Sequence, residues 1–198
     1  NRINTVWGLG GFELLADTFE VNFGIHPEYY MMVNYNGFRD VVNSLDGIDV
    51  VVTQELQDSC GRDASGWCII KPGTVHMDGD MALWYSRSRL TSSDFDRNRR
   101  AQEVVKAMFT KAMNLNMLPK VPELYGLYRE YIDTNVQLLD ILPYLPLASE
   151  VMKTGNINQH AIGPEVVSNW ITAEGAMVLI PNYYGISAIL SEALYLNE

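Results

Sequence analysis

The spacing of apolar and polar residues along the first part of the chain predicts alternating helices and strands. Apolar side chains recur at helical spacing in two stretches, and apolar runs bounded by turn residues mark two strands. The predicted elements are a helix at 12–23, a strand at 29–35, a helix at 38–45 with Asn36 as its N-cap, and a strand at 48–52. Strand, helix and strand in this order are typical of an α/β fold.

The rest of the chain predicts a long loop followed mainly by helices. Residues 54–76 are largely polar and hold both cysteines, which predicts a loop of a length that is often functional. The elements predicted after it are helices at 78–85, 96–114, 123–131 and 138–152, a strand at 178–180, and a closing helix at 183–195.

Two arginines are predicted to point toward the interior at the start of the helix at 96–114. The apolar stripe of this helix consists of Ala101, Val104, Val105, Met108, Ala112 and Met113. Arg97 and Arg100 lie on or beside this stripe, whereas Arg99 falls on another face. Because the N-terminal end of a helix favours anions, guanidinium groups placed there need an anionic partner.

Charge is unevenly distributed along the chain. The 198 residues include 14 basic and 24 acidic side chains, and the net charge of −10 argues against a protein that binds nucleic acid through a basic face. A hydrophobic content of 47% with 19% charged residues indicates a globular chain, whose length suits one domain. The arginines are nevertheless concentrated in one segment, at Arg87, Arg89, Arg97, Arg99 and Arg100.

The arginine segment predicts a site for a multiply charged anion. Arginine presents a planar fork that matches pairs of phosphate oxygens, and several guanidinium groups together suit a pyrophosphate. An alternative is that Asp94 and Asp96 cap the helix and pair with the arginines locally. The sequence leaves both interpretations open.

The two cysteines, Cys60 and Cys68, lie in a polar stretch without a CxxC motif or a neighbouring histidine, which makes a zinc site a poor interpretation. A disulfide in an exported protein and two unrelated free thiols are the alternatives. No apolar run reaches the ~20 residues that span a bilayer, and no signal segment opens the chain. Because the chain begins at Asn1, we expect it to be a piece of a longer protein.

The arginine segment closely resembles the LytR-CpsA-Psr (LCP) family. In that family a Gly-x-x-Ala-Leu-x-Tyr-x-Arg-x-Arg segment leads to Ser-Asp-Phe-x-Arg and Arg-Gln-Gln, and residues 77–102 follow this pattern. Further similar motifs are Arg2-Ile3-Asn4, Gly10-Gly11, the segment 38–50, Thr134-Asn135-Val136 and residues 178–182. The resemblance therefore covers essentially the whole chain.

The resemblance implies a fold and an activity. The fold is a layered α-β-α LCP-like domain with a central mixed sheet over residues 1–198, from which the N-terminal strands are missing. The activity is that of a magnesium-dependent phosphotransferase, anchored to the bacterial membrane on its extracytoplasmic face. Such an enzyme moves a glycopolymer from an undecaprenyl-pyrophosphate carrier to a peptidoglycan hydroxyl.

The resemblance also implies roles for individual residues. Arg87, Arg89, Arg97 and Arg100 would bind the pyrophosphate, and Asp94 would orient them or assist proton transfer, so that Asp94 and Arg97 are the predicted catalytic residues. The polyprenyl tail would lie in an apolar pocket between sheet and helices. A family that works in an oxidising compartment also favours the Cys60–Cys68 disulfide.

Two departures from the family pattern bear on activity. Ala101 replaces the first glutamine of Arg-Gln-Gln, which removes one polar contact to the phosphate. The family's magnesium ligands precede the first motif, so that no metal ligand is predicted within this chain. A non-catalytic extracytoplasmic module that binds polyprenyl phosphates or acidic glycans is therefore the alternative function, and we expect the chain by itself to bind the lipid without turning it over.

Overall fold

The computed structural model of the chain describes residues 3–61, 65–90, 93–113, 119–154, 158 and 160–194. It consists of antiparallel strand pairs and helices. The elements in chain order are α1 (Val6–Phe23), β1 (Met31–Val33), α2 (Tyr35–Ser44), β2 (Ile48–Val52), β3 (Leu56–Ser59), β4 (Trp67–Ile70), β5 (Gly73–Met77), α3 (Gly79–Arg87), α4 (Asp94–Ala112), α5 (Val121–Tyr131), β6 (Ile132–Thr134), α6 (Leu138–Ile141), α7 (Leu145–Thr154), β7 (Val167–Ile171), β8 (Met177–Pro181) and α8 (Tyr183–Ala193).

The chain divides into two units. A terminal unit comprises Asn1–Tyr30 and Asn158–Glu198, and a central unit comprises Met31–Ile157. The sequence-based expectation of a single domain over residues 1–198 stays a prediction. Among the described residues, no helix combines the length and the apolar character that crossing a membrane requires.

The terminal unit contains α1, the hairpin of β7 and β8, and α8. Helix α1 begins six residues before the predicted start and is bent at Gly10 and Gly11, where Gly11 has a φ of 67° that suits glycine. Strands β7 and β8 pair antiparallel, and the Tyr183 hydroxyl at the start of α8 lies 3.3 Å from the amide oxygen of Asn22 in α1.

The central unit is organised around the antiparallel pair β2 and β5. Ile48, Val50 and Val52 alternate with exposed residues along β2, as expected for a strand that covers a core on one face. Helices α2, α3 and α4 pack around this pair. The buried cluster so formed includes Val42, Leu45, Ile48, Val50, Met77, Ala82, Tyr85 and Val104.

Side-chain caps fix where α2, α3 and α4 begin. The Asn34 side chain accepts a hydrogen bond from the Gly37 amide at 2.8 Å, so that α2 is capped two residues before the predicted Asn36. Asp78 caps α3 through the Met81 amide, and Ser93 caps α4. At Gly79 a Cβ atom would overlap the backbone of Arg39, so that glycine lets α3 approach α2 closely.

The mixed α/β class is confirmed, but the strands differ from two predictions. Among the described residues every strand pairing is two-stranded and antiparallel, where a central mixed sheet was expected. The segment 54–76 was predicted to be a loop, yet it contributes β3, β4 and β5. These strands are short and partly polar, so the sequence pattern does not reveal them. Their backbones are paired with other strands, β3 with β4 and β5 with β2.

The helices agree more closely with the sequence pattern. Helices α3, α4, α5 and α8 differ from prediction mainly at their ends, and the predicted ends at Asn114 and Tyr195 lie outside the described residues. The helix predicted at 138–152 is divided into α6, a 3₁₀ turn at Leu142–Tyr144 and α7. The division coincides with Pro143, which cannot donate a helical hydrogen bond.

Candidate functional site

A cleft of about 600 Å³ opens in the central unit, and we call it the arginine cleft. Its lining comes from β1, α2, α3, the segment after α3, and α4. The lining residues are Val33, Tyr35, Phe38, Leu83, Ser86, Arg87, Arg89, Arg97, Asn98 and Ala101. The cleft therefore combines guanidinium groups with aromatic and aliphatic side chains.

Arg87 is held against an aromatic ring at the cleft. Its guanidinium carbon lies 4.0 Å from the centroid of the Tyr35 ring, within the range of a cation–π contact. Arg87 comes from the last turn of α3 and Tyr35 from the first turn of α2. The close packing of these two helices thus brings the cation and the ring together.

Asp94 connects the other two arginines of the cleft. Its Oδ1 atom lies 3.0 Å from a terminal nitrogen of Arg97 and 3.6 Å from a terminal nitrogen of Arg89. Arg89 and Asp94 are largely exposed, whereas the Arg97 side chain is 28% exposed. One carboxylate therefore holds two guanidinium groups at the same side of the cleft.

Asp96 has the capping role that the alternative interpretation gave it. Its carboxylate accepts hydrogen bonds from the backbone amide and the hydroxyl of Ser93, which completes a capping box at the start of α4. The hydrogen bond from the Ser93 hydroxyl is the main reason that the pKa of Asp96 lies below its usual range. Asp96 thus caps the helix and lies 4.0 Å from a terminal nitrogen of Arg99, whereas Asp94 pairs with the arginines of the cleft.

The structure places Arg100 behind the cleft. Its side chain is buried, its Nε donates to the Tyr85 carbonyl at 2.8 Å, and a terminal nitrogen donates to the Ser88 carbonyl. Burial is the main reason that its pKa is lowered. Three of the four predicted phosphate ligands therefore line the cleft, while Arg100 is bonded to the backbone that carries Arg87.

Arg99 lies on another face of α4, where the sequence pattern puts it. It donates to a Glu103 carboxylate oxygen and to the Thr53 hydroxyl, both at 2.6 Å. The Tyr85 hydroxyl donates to the second Glu103 oxygen at 2.6 Å. Burial first, and then the Glu103 carboxylate, raise the pKa of Tyr85. This network joins α3, α4 and the end of β2.

Asp58 on β3 is a buried carboxylate that the sequence pattern did not single out. Its Oδ2 atom accepts hydrogen bonds from the backbone amides of Arg89 at 2.8 Å and Leu90 at 3.1 Å, and its Oδ1 atom accepts one from the Ser59 amide at 2.7 Å. Burial alone would raise the pKa of Asp58, but these hydrogen bonds together lower it. A lone aspartate in a polar stretch carries no local signal of such a distant contact.

Cys60 and Cys68 form a disulfide, with 5.7 Å between their Cα atoms. It lies at the end of the β3–β4 hairpin, where Asp58 is paired with Cys68 across the strands. The sequence left a disulfide and two free thiols open, and the structure has the disulfide.

The described residues of the arginine cleft do not form a metal site. Asp94, the carboxylate beside the cleft, is already paired with arginines. In the part of the chain that the structure describes, the one group of three side chains able to share a metal ion is Asp17, Glu20 and His26, all exposed in the terminal unit. Magnesium participation stays a prediction, and Arg2 of the first family motif lies outside the described residues.

Comparisons of sequence match the chain to one family. A model of the LytR_cpsA_psr family matches residues 1–189. Regulatory protein MsrR of Staphylococcus aureus is 32% identical over 139 residues, which are 69% of this chain and 41% of MsrR. The polyisoprenyl-teichoic acid–peptidoglycan teichoic acid transferase TagT of Bacillus subtilis is 29% identical over 149 residues, which are 75% of this chain and 46% of TagT. The chain thus spans less than half the length of these two relatives.

Comparisons of structure match the same group of proteins. The crystal structure of TagV from B. subtilis has a TM-score of 0.77 at 24% identity and covers 100% of this chain and 76% of that chain. The structure of TagT bound to LIIa-WTA has a TM-score of 0.72 at 23% identity and covers 98% and 71%, respectively. At these identities the likeness establishes the fold.

Proposed function

The chain belongs to the LytR_cpsA_psr family, and from this premise we propose that its arginine cleft binds the pyrophosphate of a polyprenyl-linked glycopolymer. The whole protein then acts as a phosphotransferase that attaches the glycopolymer to peptidoglycan. Support for the substrate class comes from the relatives, since TagT and TagV are named teichoic acid transferases acting on polyisoprenyl-teichoic acid and peptidoglycan.

The observation that carries the proposal is the joint placement of Arg87, Arg89 and Arg97 around one cleft that also has apolar walls. Three guanidinium groups can donate in pairs to the oxygens of a pyrophosphate, and charge-assisted bonds of this kind are strong. Phe38 and Leu83 supply apolar surface beside them, which suits the first isoprene units of a lipid carrier.

The proposed transfer is a substitution at the phosphorus that carries the glycan. The acceptor hydroxyl oxygen bonds to this phosphorus, the bond from phosphorus to the bridging oxygen breaks, and polyprenyl phosphate leaves. The arginines stabilise the negative charge that gathers on the phosphate oxygens and the leaving group, which is the main form of catalysis in phosphoryl transfer. Asp94 orients Arg89 and Arg97. Its carboxylate accepts the proton that the attacking hydroxyl loses.

Magnesium is expected from the family resemblance and would neutralise phosphate charge when bound. The described residues of the cleft do not fit a magnesium site, because the one carboxylate beside it already pairs with Arg89 and Arg97.

We further propose that the chain works on the extracytoplasmic face of the bacterial membrane. The disulfide between Cys60 and Cys68 supports this location, because disulfides persist in oxidising compartments and are rare in the cytosol. A membrane anchor stays a prediction from the family resemblance.

Calorimetric titration of the chain with farnesyl pyrophosphate, a short soluble polyprenyl pyrophosphate, tests the binding site. Replacing one cleft arginine, in Arg89→Ala or Arg97→Ala, removes a charge-assisted contact and is expected to weaken binding about 10-fold to 100-fold. The matched control is Arg39→Ala, which removes an arginine of the same unit that is paired with Asp80 and does not line the cleft. Equal binding by the cleft variants and wild type would contradict the proposal.

Transfer is tested separately, with the full-length protein, a polyprenyl-pyrophosphate glycan and peptidoglycan. Covalent attachment of glycan that is lost with Arg97→Ala supports the phosphotransferase. Binding of the lipid without any transfer by the full-length protein would instead support the alternative of a non-catalytic binding module.

A further inference from the structure

We propose that Asp58 is a positioning residue of the arginine cleft, which sets the direction of Arg89 by holding its backbone. This inference rests on the proposed anion site and assigns to it a residue that does not line the cleft. Asp58 lies 31 positions before Arg89 in the chain and belongs to a different element, β3.

One oxygen of the Asp58 carboxylate holds two backbone amides of the arginine segment. Its Oδ2 atom accepts from two successive amides, those of Arg89 and Leu90, which lie directly after α3. Two amides bonded to one oxygen fix the orientation of the peptide plane between them. The backbone from which the Arg89 side chain departs is therefore held in one direction.

The backbone at Arg89 lies beyond the end of α3. Helix α3 ends at Arg87, and Ser88 at its C-cap adopts an extended ψ of 140°. The Arg89 side chain is 70% exposed, so that packing of the side chain itself contributes little to its direction. The peptide held by Asp58 therefore sets where the Arg89 side chain starts, and Asp94, 3.6 Å from a terminal nitrogen of Arg89, holds its far end.

Asp58 is itself held by a hydrogen bond and by strand pairing. Its other oxygen accepts from the Ser59 amide, and β3 is paired with β4 in a hairpin that ends at the Cys60–Cys68 disulfide. The Trp84 indole also donates to the Ser59 carbonyl at 2.8 Å, which ties α3 to the same strand. Asp58 thus connects the backbone of the arginine segment to a hairpin that a disulfide closes.

Both oxygens of Asp58 accept hydrogen bonds from amide N–H groups, which explains why a carboxylate suits this position. An asparagine has one acceptor oxygen, so it can keep the bonds to Arg89 and Leu90 only by turning its NH₂ group toward the Ser59 amide. An alanine keeps neither set. The graded loss from aspartate to asparagine to alanine is the signature of this role.

The test is a double-mutant cycle, with inorganic pyrophosphate as the titrated probe and the whole chain as the protein. Asp58→Ala is expected to weaken binding about tenfold in the wild-type background and less than twofold when Arg89 is already alanine, because coupled positions are not additive. In the Arg97→Ala background the tenfold loss should persist. Asp58→Asn should lie between Asp58→Ala and wild type.

Control and contrary outcomes separate this inference from the proposed function. The control variant is Asp49→Ala. Asp49 is an exposed aspartate of β2 that is paired with His76, and this variant should bind as wild type does. If wild type fails to bind pyrophosphate, the proposed function fails. If wild type binds and Arg89→Ala weakens binding, but Asp58 variants bind normally or lose the same factor in both backgrounds, only the positioning role is overturned. Should Asp58→Ala fail to fold, Asp58→Asn carries the same cycle.

Discussion

Arg97 and Arg100 are three positions apart on α4, yet they differ in burial and in the groups that they contact. Arg97 lines the cleft and pairs with Asp94, whereas Arg100 is buried and bonded to the carbonyls of Tyr85 and Ser88. The apolar stripe of α4 predicts that both point inward. It does not predict which one meets backbone and which one meets the cleft, because that depends on how deeply α3 packs beside α4.

Replacing Arg100 should therefore mainly reduce stability, whereas replacing Arg97 should mainly reduce anion binding. Arg100→Ala removes the buried guanidinium donor of the Tyr85 and Ser88 carbonyls, and we expect the free energy of unfolding to fall by about 2–4 kcal/mol. Arg97→Ala removes a partly exposed ion pair and should cost less than about 1 kcal/mol, while weakening anion binding. Urea unfolding followed by circular dichroism measures the free energy of unfolding of each variant. Equal stability of the two variants would contradict the distinction.

Helices of this chain were more predictable than its strands. The stripe on α4 and the caps at Asp78 and Ser93 are local signals, and local signals suffice to place a helix. Strands β3 and β4 pair with each other across the disulfide loop, and β5 pairs with β2 more than twenty positions away. Asp58 and Arg89 are likewise 31 positions apart, which is why the sequence predicts the arginines and Asp94 but not Asp58.

The β3–β4 hairpin should depend on its disulfide. A closed loop of this size, with a sequence separation of 8, is expected to stabilise the fold by about 2–3 kcal/mol through the entropy of the unfolded chain. The double variant Cys60→Ser with Cys68→Ser should lose this stability in thermal unfolding. Adding a reducing agent should lower the stability of wild type toward that of the variant and leave the variant unchanged. A reductant effect of equal size on both would exclude the disulfide as its cause.

At the scale of the molecule, the arginine cleft belongs entirely to the central unit. All of its lining residues fall within Met31–Ile157, as does the main buried cluster. The net charge of −10 makes the rest of the surface unfavourable for anions, so that the three cleft arginines form a local exception. The clustering of arginines along the sequence predicts that exception. The grouping of Asn1–Tyr30 with Asn158–Glu198 in one unit arises from contacts that the sequence pattern does not show.

A fragment of residues 31–157 should therefore fold and bind by itself. We expect a cooperative thermal transition, because the fragment retains the buried cluster around Val50 and Tyr85. Its affinity for inorganic pyrophosphate should lie within about threefold of that of the whole chain, and Arg89→Ala should weaken it equally in both. A fragment that folds without binding would show that the site needs the terminal unit.

The contact between Tyr35 and Arg87 limits the directions from which a ligand can arrive. With the Tyr35 ring centroid 4.0 Å from the guanidinium carbon of Arg87, the side of the group that faces the ring is closed to a ligand. On the sides that remain, the N–H groups of Arg87 can donate to two oxygen atoms at once, which suits a carboxylate or phosphate group. The cleft should consequently discriminate by shape, favouring anions with paired oxygens over halide ions of similar charge density.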